Sequence, residues 1–327
     1  MFGFGQLIDI LKKNPKKIVF TEGSDPRILE AASRLLASNF LSPVLVGNED
    51  EIQKSAEESG FNIRGAHIVD PAKYERMDEM VELFFELRKS KGVTPEQARK
   101  TLAQANYFGT MLVKMGEADA LLGGATYSTA DTVRPALQLI KTKPGNNIVS
   151  SCFILVRPSA TGDNEVIAMS DCAINIKPTE DELVEIALES AKCAKIFGID
   201  PKVAFLSYST LGSGSGEDVD KMRNAAVKAK AKAPELPIEG ELQFDAAVSP
   251  RVARTKCPDS EVAGHANTFI FPDINAGNIG YKIAQRMGNF EAYGPILLGL
   301  NAPINDLSRG CNASEVYSMA IITAALA

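Results

Sequence analysis

Residues 17–46 read KIVFTEGSDPRILEAASRLLASNFLSPVLV and contain a strand, a turn, a helix and a second strand. The apolar run at residues 17–20 predicts a buried strand, and the turn-forming residues 22–26 end it. A helix is predicted from this turn to about residue 38, and residues 43–46 are predicted as the next strand. A strand that alternates with a helix in this way indicates α/β layers with mostly parallel sheets.

The same alternation continues along the rest of the chain. Further strands are predicted at residues 66–69, 119–122, 202–208, 241–248, 268–271 and 295–300. Helices are predicted at residues 49–59, 74–91, 129–141, 178–197, 218–233 and 278–287, and Thr94-Pro95 opens another. Two apolar runs, 148–156 and 166–170, flank the turn-rich residues 158–164 and therefore predict an antiparallel hairpin.

Length and charge narrow the class of protein. A chain of 327 residues suits two domains of about 150 residues, the first ending near Gly145. The net charge is −6 and no cluster of lysine and arginine forms a basic face, which argues against a nucleic-acid partner. No apolar run reaches membrane-spanning length and the N-terminus lacks a signal-peptide layout, so we expect a cytoplasmic protein without a membrane partner.

Cysteine and histidine usage limits the chemistry further. The 5 cysteines are scattered and include no C-x-x-C pair, which favours a reducing compartment and argues against structural zinc. The 2 histidines, His67 and His265, are far apart in the sequence. The chain therefore offers few histidines as metal ligands or as the base of a Ser-His-Asp triad. The sequence therefore predicts no metal site.

The stretch Asn305-Asp306-Leu307-Ser308-Arg309-Gly310-Cys311-Asn312-Ala313-Ser314-Glu315 gathers reactive groups just before the last apolar run. Asn312, followed three residues later by Glu315, predicts a helix N-terminus with a capping box. Because the free N–H groups and the dipole of a helix start favour anions, Ser308 and Arg309 are candidates to hold a negatively charged group. Glu315, one turn into the helix, is the candidate acid–base residue.

A second candidate anion site follows the predicted strand 119–122. Gly123-Gly124 break the strand, Ser128 and Thr129 crowd the next turn, and Arg134 lies early in the following helix. Hydroxyl and guanidinium groups beside a helix start suit a phosphoryl or acyl-phosphate group. The alternative is that Ser128 or Thr129 only caps the helix.

A third candidate is the glycine-rich loop Gly212-Ser213-Gly214-Ser215-Gly216-Glu217, which lies between a predicted strand and a predicted helix. The backbone N–H groups of such a loop can hold a phosphate. The alternative, a flexible connector at the edge of the sheet, stays equally open. The loop matches neither the dinucleotide fingerprint nor a P-loop, so NAD binding and nucleotide hydrolysis are not expected.

Four segments, in chain order, resemble a single protein family. The motif Asp-Leu-Ser-Arg-Gly-Cys at 306–311, followed by an acidic residue at 315, is similar to the C-terminal motif of the phosphate acetyltransferases (phosphotransacetylases). Segments 86–98, 123–136 and 271–286 are similar to the same phosphate acetyl/butyryltransferase family. The resemblance implies two α/β domains with mostly parallel sheets and an interdomain cleft, an architecture like that of the isocitrate and isopropylmalate dehydrogenases. The implied domains are 1–145 plus 301–327, and 146–300.

The resemblance also implies an activity: reversible transfer of an acetyl group between acetyl phosphate and coenzyme A, with coenzyme A as a substrate and no other cofactor. A thiol has an ordinary pKa of about 8.5 and Glu one of about 4.3. We therefore expect the site to bury Glu315, the general base, and to place a cation near the sulfur. Ser308 is expected to donate a hydrogen bond to the carbonyl oxygen, and Arg309 to clamp the phosphate. A homodimer is implied as well.

The remaining substrate-binding residues are assigned through the same resemblance. They are Arg88, Ser128, Thr129, Arg134, Tyr281, Lys282 and Arg286. The two arginines before residue 140 are expected to anchor phosphates of coenzyme A, and the two hydroxyl residues to hold the transferred phosphate. The three residues of segment 271–286 are expected to line the site. The family commonly has Asp where this chain has Glu315, so the carboxylate here reaches one methylene further.

The sequence leaves three alternatives open. Cys311 is either a nucleophile that forms an acyl-enzyme or a small buried residue. As a nucleophile it would need a lowered pKa, and only an arginine and a helix start are available to lower it. Glu315 is either the base or only a helix cap. The chain as a whole is alternatively a phosphate butyryltransferase for longer acyl chains, or a non-catalytic protein that binds acyl phosphate or coenzyme A. An oxidoreductase of the isocitrate-dehydrogenase type would need clustered aspartates as metal ligands, which the sequence lacks.

Overall fold

A computed structural model of the chain describes residues 4–159 and 164–327. The described residues divide into two compact units, which we call the first unit (Phe4–Pro144 with Leu300–Ala327) and the second unit (Gly145–Gly299). Each unit has its own sheet with helices packed on it, so the predicted α/β class with mostly parallel sheets is confirmed.

Helices and strands alternate along most of the chain. The strands are β1 Lys16–Phe20, β2 Leu41–Val46, β3 His67–Val69, β4 Ala120–Gly123, β5 Ser150–Pro158, β6 Asn164–Ser170, β7 Val203–Leu206, β8 Ile238–Leu242, β9 Thr268–Ile270, β10 Glu291–Leu298 and β11 Ile304–Asp306. The helices are α1 Gly5–Lys13, α2 Pro26–Ser38, α3 Glu49–Ser59, α4 Met77–Arg88, α5 Pro95–Leu102, α6 Ala105–Lys114, α7 Thr129–Pro135, α8 Glu180–Ile196, α9 Glu217–Lys232, α10 Phe244–Val248, α11 Pro250–Lys256, α12 Ile274–Met287 and α13 Ala313–Ala325. A 3₁₀ turn, Lys89–Lys91, extends α4, and a π-helical turn, Ala136–Ile140, extends α7. None of the helices in the described parts of the chain combines the length and the apolar character needed to cross a bilayer.

The sheet of the first unit has five parallel strands in the order β11-β4-β1-β2-β3. Its central strand β1 ends in Ile18, Val19 and Phe20, all fully buried. Such a continuous apolar run is what a parallel strand covered on both faces requires. The carboxyl ends of β1, β4 and β11 therefore lie side by side at one edge of this sheet.

The last predicted strand, residues 295–300, lies mostly in β10 of the second unit, whereas the last helix belongs to the first unit together with β11. β11 pairs in parallel with β4, Ile304 opposite Leu121, and α13 packs against α1, α2, β1 and β4. The buried residues of α13 include Val316, Ile321 and Ile322. Strand β11 was not predicted, because Asn305 and Asp306 interrupt the apolar pattern that marks a strand.

The sheet of the second unit has six strands in the order β10-β5-β6-β9-β7-β8. β5 and β6 form the predicted antiparallel hairpin, although residues 160–163 of its predicted turn lie outside the described residues. β10 pairs with β5 in the antiparallel direction, and the other three pairings are parallel.

One predicted strand of the second unit is wrong over most of its length. Residues 241–248 were predicted as a strand, but β8 ends at Leu242 and the residues that follow form the short helix α10. Ala246 and Ala247 are buried in the core in this helical turn. A short apolar run does not distinguish a strand from a buried helical turn, which is why periodicity failed here.

Candidate active site

The site lies at the edge of the first sheet where β1, β4 and β11 end. Asp306 is paired with Gly123, and the Leu307 N–H donates to the Gly123 carbonyl at 2.7 Å. The two loops that follow β4 and β11 therefore leave the sheet together. The loop after β1 leaves at the same edge because its strand is parallel to β4. Ligands of parallel α/β sheets bind at this edge.

Gly124 is required for the close approach of these loops. Its backbone has φ +97°, a conformation that favours glycine, and a Cβ at this position would collide with Asp306 Oδ1. The same Cβ would lie 3.0 Å from the Leu307 carbonyl oxygen. Gly124 therefore allows the start of the β4 loop to lie directly against the start of the β11 loop.

Asp306 joins β11 to the start of α7. Its carboxylate accepts hydrogen bonds from Thr129 Oγ1 at 2.5 Å and from Thr132 Oγ1 at 2.6 Å. Burial raises the pKa of Asp306, although the two hydroxyl donors oppose that shift. The hydroxyl hydrogen of Thr129 is thus used inside the protein. The sequence predicted that Thr129 holds a phosphate. To donate to a phosphate, the Thr129 hydroxyl has to give up its hydrogen bond to Asp306.

Ser128 occupies the cap position of α7 without capping it. Its hydroxyl donates to Asp131 Oδ2 at 2.7 Å, and no hydrogen bond to the helix backbone is formed by this side chain. The alternative interpretation of Ser128 as a simple cap is therefore not supported. Asp131 also lies 3.6 Å from the guanidinium of Arg134.

Glu22, in the loop after β1, shapes the loop after β4. Its carboxylate accepts hydrogen bonds from the N–H groups of Gly124 at 3.0 Å and Thr126 at 3.1 Å, and from Thr21 Oγ1 at 2.8 Å. Burial raises the pKa of Glu22, and these hydrogen bonds oppose the shift. Glu22 was not predicted as a site residue from the sequence. The only signal was an acidic side chain directly after the first strand.

Arg27, the second residue of α2, connects three loops at this edge. It pairs with Asp25 at 2.7 Å and donates to the carbonyl oxygens of Ala125 at 2.9 Å, Arg309 at 2.9 Å and Cys311 at 3.2 Å. Arg27 was not predicted as a site residue either. Nothing in its local pattern distinguishes it from a solvated arginine near a helix start.

Residues 308–310 of the turn 308–311 are exposed, and this turn carries the candidate anion ligand Arg309. It is closed by the Cys311 N–H, which donates to the Ser308 carbonyl at 2.9 Å, and the Gly310 N–H donates to Ser308 Oγ at 3.2 Å. Within the described parts of the chain, the guanidinium of Arg309 has no hydrogen-bond or ion-pair partner. An exposed arginine without an acidic partner is suited to bind an anion in bidentate fashion.

Cys311 is buried beside this turn. Its sulfur lies 3.7 Å from Arg27 Nη1. Burial raises the pKa of the Cys311 thiol, and the charge of Arg27 opposes that shift without reversing it. A buried thiol with a raised pKa is a poor nucleophile, which favours the interpretation of Cys311 as a small buried residue.

Glu315 forms the predicted capping box, which is confirmed. Its carboxylate accepts from the Asn312 N–H at 2.9 Å, while Asn312 Oδ1 accepts from the Glu315 N–H at 3.0 Å. The expectation that Glu315 is buried is wrong, because this side chain is exposed. Within the first turn of α13, Glu315 faces solvent, whereas Ala313 and Val316 belong to the buried side of the helix.

Arg88 and Arg134 come together around one phenol. Both guanidinium groups act electrostatically on Tyr107, whose hydroxyl donates to Gln138 Oε1 at 3.1 Å. Burial raises the pKa of Tyr107, and the two positive charges oppose it. Arg88 has no ion-pair partner among the residues that the structure describes. The structure therefore places Arg88 and Arg134, which are far apart in sequence, within electrostatic range of the same phenol, together with the carboxylate of Asp131.

The other three predicted ligands lie on α12 in the second unit. Tyr281 stacks on Phe153, with ring centroids 4.0 Å apart and planes inclined by 13°. Lys282 and Arg286, four residues apart on one face of the helix, are exposed. Their role in substrate binding stays a prediction.

The glycine-rich loop of the second unit uses its backbone N–H groups internally. Gly212 N donates to the buried Glu241 carboxylate at 2.7 Å, and Gly214 N donates to Ser209 Oγ at 2.9 Å. Ser213 N donates to the Thr210 carbonyl at 3.0 Å. The structure thus supports the connector interpretation over a phosphate site.

The fold and the site define an α/β protein whose first unit carries a candidate anion site, around the exposed Arg309, at the carboxyl edge of a parallel sheet. A family model described as "Phosphate acetyl/butaryl transferase" matches residues 4–324. The chain belongs to this family.

Individual relatives agree with the family match. The phosphate acetyltransferase of Bacillus subtilis (strain 168) is 57% identical over 311 residues, which are 95% of this chain and 94% of that protein. The phosphate acetyltransferase of Staphylococcus epidermidis (strain ATCC 12228) is 50% identical over 326 residues, covering 98% and 97% of the two chains. The crystal structure of a phosphotransacetylase from Streptococcus pyogenes is 53% identical, with a TM-score of 0.94 over 99% of this chain and 97% of that chain.

Proposed function

We propose that this protein catalyses the reversible transfer of an acetyl group between acetyl phosphate and coenzyme A, with release of inorganic phosphate. The observation that carries the proposal is the exposed guanidinium of Arg309, which has no partner among the described residues and lies beside Ser308 on the turn that enters α13. Relatives that are 57% and 50% identical to the chain are phosphate acetyltransferases. The chemistry of the site and the names of these relatives support the same reaction.

In the proposed reaction the thiolate of coenzyme A attacks the carbonyl carbon of acetyl phosphate. A C–S bond forms, the bond between the carbonyl carbon and the phosphate oxygen breaks, and phosphate leaves with the electron pair of that bond. Arg309 holds two phosphate oxygens and stabilises the leaving group. Ser308 donates a hydrogen bond to the carbonyl oxygen as negative charge develops on it.

The thiol proton goes to Glu315 in this proposal. Glu315 is exposed, so burial does not assist the proton transfer. The gap between the pKa of the substrate thiol and that of a carboxylate must therefore be narrowed by cations that lower the pKa of the thiol. Arg309 is the nearest such cation in the sequence. Glu315 keeps its place through the capping box, which fixes the carboxylate at the first turn of α13.

The phosphates of coenzyme A bind, in this proposal, to Arg88 and Arg134. Ser128 and Thr129, at the start of the same α7, complete the site for the transferred phosphate after their internal hydrogen bonds are exchanged. The remaining contacts come from the second unit. They are Tyr281, Lys282 and Arg286. The proposal needs no metal and no prosthetic group.

We also propose the wider setting that the family resemblance implied. The two domains are residues 1–145 plus 301–327, and 146–300. The enzyme is a cytoplasmic homodimer in this proposal. Size-exclusion chromatography with light scattering measures the oligomeric state directly.

Acetyl is the proposed acyl group because both relatives described above are acetyltransferases. A branched-chain phosphotransacylase from Enterococcus faecalis is only 20% identical to this chain, so that likeness concerns the fold alone. Comparison of acetyl, propionyl and butyryl phosphate as substrates measures the chain-length limit.

The deciding assay follows thioester formation from acetyl phosphate and coenzyme A in the absence of ATP and of any other enzyme. We expect turnover by the purified protein alone. Coenzyme A that binds without turnover, measured by calorimetry, would instead support the non-catalytic binding protein.

Cys311 separates direct attack from an acyl-enzyme route. Because the thiol is buried and its pKa is raised, we expect Cys311→Ala to keep kcat within about threefold of wild type. Rapid quench of the wild-type enzyme with labelled acetyl phosphate, followed by mass spectrometry, checks for a covalent intermediate. A folded but inactive Cys311→Ala, together with a labelled Cys311 in wild type, would contradict direct attack.

A further inference from the structure

We propose that Arg27 is a positioning residue for this reaction, which ties the turn 308–311 to two neighbouring loops and thereby aims Arg309 and Ser308 at the substrate. The inference rests on the proposed function. The guanidinium of Arg27 lies at the point where the loops after β1, β4 and β11 meet.

All five N–H groups of the Arg27 guanidinium are used within the protein. Nε donates to Asp25 Oδ1 at 2.9 Å, and Nη2 donates to Asp25 Oδ2 at 2.7 Å and to the Ala125 carbonyl at 2.9 Å. Nη1 donates to the carbonyls of Arg309 at 2.9 Å and Cys311 at 3.2 Å. Since a guanidinium has five donors and accepts nothing, Arg27 has none left for a substrate. Its contribution is therefore to hold other residues in place.

The acceptors of Arg27 belong to three different loops. Asp25 follows β1 and caps α2, since its carboxylate also accepts from the Arg27 N–H at 2.9 Å. Ala125 follows β4, whose loop is itself fixed by Glu22. The carbonyls of Arg309 and Cys311 follow β11. One planar cation thus fixes the mostly exposed 308–311 turn to two loops that are already ordered.

This arrangement matters because the Arg309 side chain has no partner of its own in the part of the chain that the structure describes. Its direction is set by its backbone, and the backbone carbonyl of Arg309 is bonded to Arg27. A clamp that is displaced by about 1 Å loses on the order of 100-fold in rate. Lysine at position 27 keeps the charge but supplies three donors from a single point, so it cannot reach all three loops.

The test compares Arg27→Lys, Arg309→Lys and the double variant. We expect Arg27→Lys to lower kcat about 10- to 100-fold, with a smaller change in KM for acetyl phosphate. Because Arg27 acts through the turn that carries Arg309 and Ser308, the double variant should lose clearly less than the product of the two single losses. Arg76→Lys is the matched control, since Arg76 pairs with Glu79 and Glu117 in the same unit and is expected to retain wild-type kinetics.

Two outcomes would overturn the positioning role. One is a wild-type kcat in Arg27→Lys. The other is a double variant whose losses multiply, which indicates that Arg27 contributes independently of Arg309. Each variant is assayed below its own Tm, with circular dichroism as the check on folding.

Chemical rescue provides a second readout. Added guanidinium should raise kcat of Arg27→Ala and should leave Arg309→Lys unchanged. Failure of both Arg27 variants to fold at any temperature would make Arg27 a stability residue and also overturn the proposal. Absence of turnover in wild type would instead contradict the proposed function, and the two failures are therefore distinguishable.

Discussion

Two arginines at one edge of the first sheet differ in what surrounds them. The guanidinium of Arg27 donates to five oxygen atoms of the protein, whereas that of Arg309 has no partner within the described residues. An arginine that is fully paired holds structure, and one that is exposed and unpaired is available to an anion. At the scale of the residue, this difference is the reason that the proposed phosphate contact is assigned to Arg309 and not to Arg27.

The first prediction concerns the shape of the Arg309 side chain. Arg309→Lys keeps the charge but loses the planar fork, so we expect kcat/KM for acetyl phosphate to fall about 100-fold or more. Steady-state kinetics with acetyl phosphate and coenzyme A measure the effect. Arg99→Lys, an exposed and paired arginine on α5, is the control. Near-normal turnover of Arg309→Lys would contradict the clamp.

The second prediction separates the two roles of Glu315. Gln at this position preserves the capping box, since its amide oxygen accepts from the Asn312 N–H, but it cannot take a proton. We expect Glu315→Gln to retain the wild-type Tm and to lower kcat by a factor of about 100 to 10⁴.

Two further variants complete the test of Glu315. Glu315→Ala should also lose the cap, which lowers the stability of α13 by on the order of 1 kcal/mol. Glu315→Asp restores the residue that the family commonly has and should retain more activity than Glu315→Gln. Normal kcat in Glu315→Gln would show that Glu315 is only a cap.

At the scale of the element, the loops after β4 and β11 depend on one glycine. Gly124→Ala combines a positive φ with a collision against Asp306, whereas Gly92, with φ +79° at the end of the 3₁₀ turn, has open space around its missing Cβ. We expect Gly92→Ala to cost about 1–2 kcal/mol from backbone strain alone. Gly124→Ala should cost about 1–3 kcal/mol more, from overpacking.

Differential scanning calorimetry tests the glycine prediction through the Tm of the two variants. The larger drop should occur in Gly124→Ala, and that variant should also lose activity because the collision displaces the β11 loop. Equal Tm values for the two alanine variants would show that the β4 and β11 loops separate without cost.

At the scale of the whole molecule, the first unit is completed by residues from the end of the chain. β11 adds to its sheet beside β4, and α13 covers buried residues on β1, β4 and α2. The points where the chain leaves and re-enters this unit are adjacent, since Asn301 N donates to the Lys141 carbonyl at 2.9 Å. A short linker can therefore replace the second unit.

The final prediction follows from that adjacency. A chain in which a short Gly/Ser linker joins residue 144 to residue 300 should fold and unfold cooperatively. Residues 1–144 alone should not, because they lack β11 and α13 and expose the apolar surface that α13 covers. Circular dichroism during heating checks both. Cooperative unfolding of residues 1–144 alone would contradict the assignment of the chain end to this unit.

The sequence alone was sufficient where structure depends on neighbours within a few residues. The capping box of Asn312 and Glu315 and the helix opening at Thr94 were predicted and observed, because their hydrogen bonds span three residues. The alternation of strands and helices was predicted for the same reason, because burial of one face of an element makes apolar residues recur at a short, regular spacing. Residues 241–248 were the exception, because a short apolar run fits either element.

Tertiary structure decided the connections between distant residues. Arg27 and Arg309 are separated by 282 positions, and Thr129 and Asp306 by 177. The exposure of Glu315 and the internal use of the Gly212 N–H were likewise fixed by packing. A local pattern carries no information about a partner so far along the chain. Only the folded sheet, which aligns the ends of β1, β4 and β11, brings these groups within hydrogen-bonding distance.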